Sequence, residues 1–441
     1  MFYWIGMILA TIGMGWSVYK TFKSRNILSP QMFLFVGILF YLYLPAVVLK
    51  SNYRADEGYN FAILVGVIGA FVASRIFPYN ILEKNEAEIR FLPRIKYFQV
   101  FAYIYATYLI FEIVLTIIQY GSISAVFTAN RIDSYLGESI ISSSLVGLLF
   151  IEGLKIFYYM YIAYTFEKKK YVKFIAFCII PMIHHRFTAV TRYDFIAMIG
   201  AMVIYVLDEK LYDKRRSDEK QETLEENENP RKKRIHFLKI TCLGVVGIYL
   251  ALVFMRVANY TRFGQTAVGI DLSIESLFTS LMSNDSLYYE YFHYLYDAIQ
   301  DGRANFEYGL SWFVYPFVNM VPRQIWPTKP YTAFSARMTD QIYWGLTSGN
   351  PVVTFSMLGE GYAQLGVIGC FLAPLVFLGS RWINFKKVKQ MKYGHMYTLI
   401  LMFSLLTYMR SEAPIFYSVI DCFWLWFICK FMCVKKKINR G

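Results

Sequence analysis

The segment MFYWIGMILATIGMGWSVY, residues 1–19, is an unbroken apolar run without a charged side chain. As a helix rising about 1.5 Å per residue it reaches roughly 28 Å, close to the ~30 Å hydrocarbon core of a bilayer. It lacks a basic leader and a small-residue cleavage site, so it reads as a retained first span and not as a removed signal peptide. Working outward, further apolar runs recur near 31–49, 60–78, 97–118, 145–165, 174–185, 194–207, 238–255, 356–380, 396–410 and 415–432. The run at 174–185 is the weakest, being short and containing Pro181. Across all 441 residues, 56% are hydrophobic and 17% charged, against about 25% charged in a soluble domain. In lipid only a helix satisfies its own backbone without a partner strand. The sequence therefore predicts an all-α polytopic integral membrane protein with about 11 transmembrane helices and one large extracytoplasmic loop containing short interfacial helices.

The net charge of +14 raises the question of nucleic acid, and the placement of the charges answers it. Alternate connecting segments (20–25, 75–96, 167–173, 208–239, 381–392 and the tail from 430) hold 32 of the 45 Lys and Arg but only 13 of the 31 acids. This is the positive-inside pattern, which puts the N-terminus outside, the C-terminus in the cytoplasm, and requires an odd number of spans. The surplus charge then faces anionic lipid, and no nucleic-acid partner is expected. The six cysteines lie in or beside apolar runs with no CxxC pair. His184 and His185 are adjacent, so one helical face cannot present both to one ion. No disulfide, metal or cofactor is expected. Residues 1–255 form an N-terminal helix bundle with a flexible, mixed-charge cytoplasmic connector near 208–237. Residues 256–355 form the large outer loop with the substrate site, and 356–441 the C-terminal spans and basic tail.

A loop of about 100 residues is usually functional. Its first half contains YYEYFHYLY, residues 288–296, which reads as an interfacial aromatic belt or as flat faces for sugar rings, with Glu290, His293 and Asp297 at hand for hydroxyls. Its second half carries Pro316, Pro322, Pro327 and Pro330, which prevent a continuous helix and hold Arg323, Trp326 and Lys329 on a rigid turn. Arg offers a fork for two phosphate oxygens, Lys a point charge, and Trp a face for an isoprenoid or sugar.

The run GLSWF…VPRQIWPTKP, followed by SMLGEGYAQLG, resembles the Wzy-type polysaccharide polymerase family over about residues 309–369. The resemblance implies an enzyme of a bacterial cytoplasmic membrane that polymerises polyprenyl-diphosphate-linked oligosaccharide units, for O-antigen, capsule or exopolysaccharide. Donor and acceptor would both be lipid-linked, with a chain-length regulator and a flippase as candidate partners. No nucleotide sugar is needed, in keeping with the absence of a phosphate-cradling Gly-rich motif or a DxD site.

The residue types suit that reaction on their own chemistry. Negative charge builds on the departing diphosphate, and cations fixed beforehand in a water-poor site stabilise it. Arg323, Lys329, Arg256, Arg262, Arg192 and Arg410 are the candidates, with Arg186 and Arg337 in reserve; Trp326, Tyr362 and Trp312 are candidates for sugar or lipid contact. A sugar hydroxyl needs a base late in the transition state. Glu360 is the first choice, with Gly359 and Gly361 leaving room for substrate, and His293 the second. Within the spans, Glu112, Glu152, Lys155 and Asp421 are costly unless paired. Glu152 and Lys155, three apart on one helix, can satisfy each other; Asp421 has no evident local partner and would line a cavity for the lipid carrier. Two other readings fit the composition: an O-antigen-ligase-like transferase with a different acceptor, and a transporter or flippase.

Overall fold

A computed structural model describes residues 1–24, 28–79, 89–122, 145–187, 198–208, 270–285, 287–319, 333–343, 353–410 and 414–435, with a few isolated positions between them. The chain is mostly helical. In order come α1 (Phe2–Lys23), α2 (Pro30–Val48), α3 (Glu57–Ile76), strand β1 (Phe91–Pro93), α4 (Ile95–Tyr120), α5 (Leu145–Glu167), α6 (Tyr171–Phe187) and α7 (Met198–Asp208). After these come α8 (Ile274–Asp285), α9 (Tyr288–Gln300), α10 (Leu310–Phe313), α11 (Tyr315–Asn319), α12 (Phe334–Tyr343), α13 (Ser356–Lys389), α14 (His395–Met409), α15 (Ile415–Met432) and β2 (Cys433–Lys435). Among the described residues six helices are long and apolar enough to cross a membrane: α1, α2, α3, α4, α13 and α15. Shorter apolar helices lie in α6, α7 and α14. The span expected at 238–255 falls largely outside the described residues. Pro181 does not interrupt α6, which is continuous through it.

The helices form a bundle with two chemically distinct ends. At one end β1 and β2 pair antiparallel, Phe91 with Lys435. Lys392 meets Glu167 at 3.2 Å and His395 meets Asp208 at 2.6 Å, while Lys20, Lys23 and Arg75 close their helices. We call this the basic end. At the opposite end the amino group of Met1 pairs with Glu57, and Asp56 caps α3 by accepting the Tyr59 N–H at 3.0 Å.

Close backbone approach holds the centre. A side-chain carbon on Gly69 would lie 2.2 Å from the carbonyl oxygen of Phe371, and one on Gly66 would strike Leu358. Thus α3 packs against α13 at two points, and only glycine fits. The span expected at 356–380 is not a single rod. Leu365 and Gly366 leave helical geometry, Gly366 at φ 61 and ψ −140, a region open to glycine. The chain turns back there. The Cys370 thiol donates to the Leu358 carbonyl at 3.5 Å, although residues twelve apart in a straight helix lie about 18 Å apart. Gly361 packs on Gly369 so tightly that a side-chain carbon would lie 2.5 Å from the Gly369 carbonyl oxygen. Residues 356–364 are therefore a short re-entrant helix lying against residues 367–389.

The end of α14 meets it. Met409, the last residue of α14, lies against Gly37, seven residues or about 10 Å along α2 from its basic end. The far end of α14 therefore stops beside the middle of α2, and there the Ser356 N–H donates to the Arg410 carbonyl at 3.0 Å. Non-helical backbone at such depth persists only where protein or a wet cavity satisfies it.

The intraspan charges are paired. Lys155 meets Glu152 at 2.5 Å, as their spacing predicts. Glu112 accepts from Tyr108 and meets His184 at 2.6 Å across to α6. Asp421 pairs with Arg381 and accepts from Tyr397 at 2.8 Å. Arg381, counted from sequence among flanking loop cations, is buried at 2% exposure because α13 runs on to Lys389.

The hairpin yields a test. Gly361→Val should lower unfolding stability in detergent by about 1–3 kcal/mol or more through overpacking. Gly15→Val, where nothing lies within 4 Å, should leave the melting temperature unchanged.

Candidate functional site

Helical spacing on 356–364 sorts its side chains by direction. Gly359 and Tyr362 face α9, since a carbon on Gly359 would meet Phe292 and Leu295, and the Tyr362 ring lies 5.0 Å from that of Tyr296. Leu358 and Gly361 face α3 and the second half of α13. Glu360 and Gln364, four apart, share the remaining face. Glu360 is 2% exposed.

That face carries a buried polar seam. The Gln364 amide donates to Glu307 Oε2 at 2.7 Å, and the Glu307 N–H donates to the Ala363 carbonyl at 2.8 Å. Arg337 from α12 grips Glu307 with two bonds, Nε to Oε1 at 2.7 Å and a terminal nitrogen to Oε2 at 3.0 Å. Ser311 joins by donating to Glu307 and accepting from Arg337. The Arg337 guanidinium stacks 3.7 Å from the Tyr315 ring centroid. One end of the re-entrant helix thus holds a forked ion pair, and the other holds Arg410 through its carbonyl, with Glu360 between them. Such forks are the strong form of charge-assisted hydrogen bond.

Glycines 359 and 361 were expected from sequence to leave room for substrate beside the Glu360 carboxylate, but the space at both is filled. They allow close packing against α9 and against 367–389. Trp312 and Tyr362, expected to present faces to sugar or lipid, are packed at 3% exposure. The Tyr362 hydroxyl accepts from Gln300 at 2.6 Å. Trp326 is 40% exposed and keeps an open face. Arg410 is half-buried at the end of α14, and Arg256 half-buried in an open cavity of about 350 Å³ with Asp271, Ser273 and Glu275. There the Ser273 N–H holds the Asp271 carboxyl below its usual range. Arg323, Lys329, Arg262 and Arg192 lie outside the described residues, and Arg186 belongs to the last turn of α6.

His293 does not share the face of Glu360. It sits on α9, 5% exposed, beneath Tyr53, whose ring stacks at 3.9 Å and 16°, with Tyr59 edge-on at 4.8 Å. Its Nε2 lies 2.9 Å from Asp56 Oδ2, and its Nδ1 lies 3.1 Å from Asp297 Oδ2. Burial raises the Asp297 carboxyl above its usual range, with His293 opposing. The aromatic run 288–296 is mainly a packing surface: Tyr289 donates to Asn60 at 3.0 Å and accepts at its carbonyl from Tyr59.

Sequence reasoning passed over Glu307, Ser311 and Asp56. Ser311 lies four residues after Glu307, one helical turn, and this was the only local signal; the other partners are 30 to 237 residues away in sequence. No family model matches the chain, and no curated protein or solved structure shows significant similarity to it.

The ion pair can be tested directly. Arg337→Ala should cost about 3–5 kcal/mol by stranding the Glu307 carboxylate. The double variant Glu307→Gln with Arg337→Gln should cost less than the two single changes together in denaturant titrations.

Proposed function

We propose that the chain is a polymerase of lipid-linked glycan repeat units, embedded in a bacterial cytoplasmic membrane by about eleven spans. In this reading the N-terminus and the Pro-rich segment around Arg323 lie outside, and the basic end faces the cytoplasm. The observation that carries the reading is a buried carboxylate, Glu360, on a re-entrant helix anchored by Glu307–Arg337 within the segment that resembles Wzy-type polymerases. A carboxylate excluded from water is suited to take a proton from a sugar hydroxyl.

The reaction then runs as follows. The acceptor hydroxyl oxygen of one lipid-linked unit attacks the anomeric carbon of the growing glycan. The bond from that carbon to the carrier diphosphate breaks, the proton passes to Glu360, and polyprenyl diphosphate departs. Arg323, Lys329 and Arg410 meet the leaving charge, with Arg256, Arg262 and Arg192 as further contacts. Arg337 is held by Glu307, so its part is to fix the re-entrant helix. Trp326 offers its open face to isoprenoid or sugar. A chain-length regulator and a flippase would work beside it, and a ligase-like transferase would differ only in the acceptor.

One observation favours a second reading. Re-entrant and broken helices are common in transporters, where they cradle substrate near mid-membrane. A flippase of lipid-linked sugars would use such a hairpin. Deletion distinguishes the two: loss of a polymerase leaves single repeat units exported, whereas loss of a flippase leaves them trapped inside.

Purified protein given a synthetic lipid-diphosphate repeat unit should produce a ladder of longer glycans. Glu360→Gln should bind the unit normally but turn it over at least a hundredfold more slowly, in the range of lost general-base catalysis. Full activity in that variant would remove Glu360 as the base. Arg323→Ala should abolish the ladder, and an unchanged ladder would take Arg323 out of the site.

A further inference from the structure

We propose that His293 and Asp297 bind a divalent transition-metal cation, with Asp56 holding the imidazole in place from α3. The proposal stands apart from the glycan chemistry and departs from the sequence-based expectation of no metal.

The tautomer of His293 sets the site. An ionised carboxylate only accepts hydrogen bonds, so the 2.9 Å contact with Asp56 Oδ2 puts the ring proton on Nε2. Nδ1 then presents a lone pair. It is buried and makes no hydrogen bond, although Asp297 Oδ2 lies 3.1 Å away. Two acceptors face each other across that gap. A second ring proton would have to point along the line to the carboxylate, and the contact is off that line. A metal ion needs only the spacing. Ligands at right angles on an ion with bonds of about 2.1 Å sit about 3.0 Å apart, close to the distance found.

The surroundings are those of a prepared ligand. His293 and Asp297 are four apart on α9, so they project from one face. Tyr53 stacked on the ring and Tyr59 at its edge fix its plane. Asp56 supplies the outer carboxylate that commonly receives the second ring N–H of a metal-bound histidine. Its other oxygen caps α3, so the ring is referenced to a span. One ligand atom each from Asp56, His293 and Asp297 lies within 4.8 Å of the others. The Asp297 side chain is 42% exposed, which leaves coordination positions open to water or to the oxygens of an anionic ligand. An imidazole nitrogen beside a carboxylate, with positions open to water, suits a divalent first-row transition metal, and Mn²⁺, which also takes carboxylate and water oxygens, serves as the paramagnetic probe. The ion would tie α9 to the start of α3.

The test uses full-length protein in detergent, stripped with chelator and titrated with Mn²⁺ under paramagnetic resonance, without substrate. One Mn²⁺ per chain should bind, with a nitrogen coupling from the imidazole. Asp297→Asn should weaken binding at least tenfold. Asp56→Asn should weaken it about 10–100-fold while keeping the nitrogen coupling, as expected for an outer-shell partner. Absence of stoichiometric Mn²⁺, a bound ion without nitrogen coupling, or unchanged affinity in Asp297→Asn would each overturn the proposal. The wild-type spectrum and the half-exposed Asp297 decide the matter even if changes at His293 unfold the chain.

Discussion

Where a helix doubles back on itself two backbones must meet with nothing between them, and the fold of this chain is arranged around one such turn. At Leu365–Gly366 the chain reverses and lays residues 356–364 against 367–389. The reversal works because Gly361 and Gly369 bring two backbones to a separation that no side chain permits. Gly66 and Gly69 of α3 accept both halves of the hairpin. Once the short helix is placed, its faces are committed: one to α9, one to α3, and one to the seam of Glu360, Gln364, Glu307 and Arg337.

The polar residues follow from the same constraint. Glu152, Glu112 and Asp421 are met by Lys155, His184 and Arg381, and the partners come from different helices for Glu112 and Asp421. Removing one member of such a pair is far more damaging than replacing both, because the survivor is left buried and uncompensated. The forked Glu307–Arg337 pair fixes how the Pro-rich region meets the bundle, since Arg337 comes from α12 and Glu307 from the turn before α10.

Much of this was legible in the sequence, and the limits have physical causes. Length and hydropathy identify α1 to α4 and α15 because a spanning helix is a local, contiguous signal. The Glu152–Lys155 pair was legible for the same reason. The hairpin was not, since only Gln364 marks the turn within a largely apolar stretch and Gly366 is one of 27 glycines. Asp421 could not be explained from its own helix because Arg381 lies 40 residues away, in a stretch that reads as a basic loop. Likewise Asp56 is 237 residues from His293. Glu360 is more deeply buried than the partial burial expected from sequence, and its neighbouring glycines serve packing.

The shortness of α14 bears on how the protein is made. Its 15 residues extend about 22 Å, well under the thickness of the lipid core, and its far end stops beside the middle of α2. Alone it would be a poor candidate for the insertion machinery, which favours segments able to traverse the hydrocarbon unaided. It becomes stable once α15 follows and the two enter as a couple, sheltered by helices already in place. The final pair, α14 and α15, is therefore expected to settle into the membrane late, after the ribosome has released the chain, with the earlier helices acting as its chaperone.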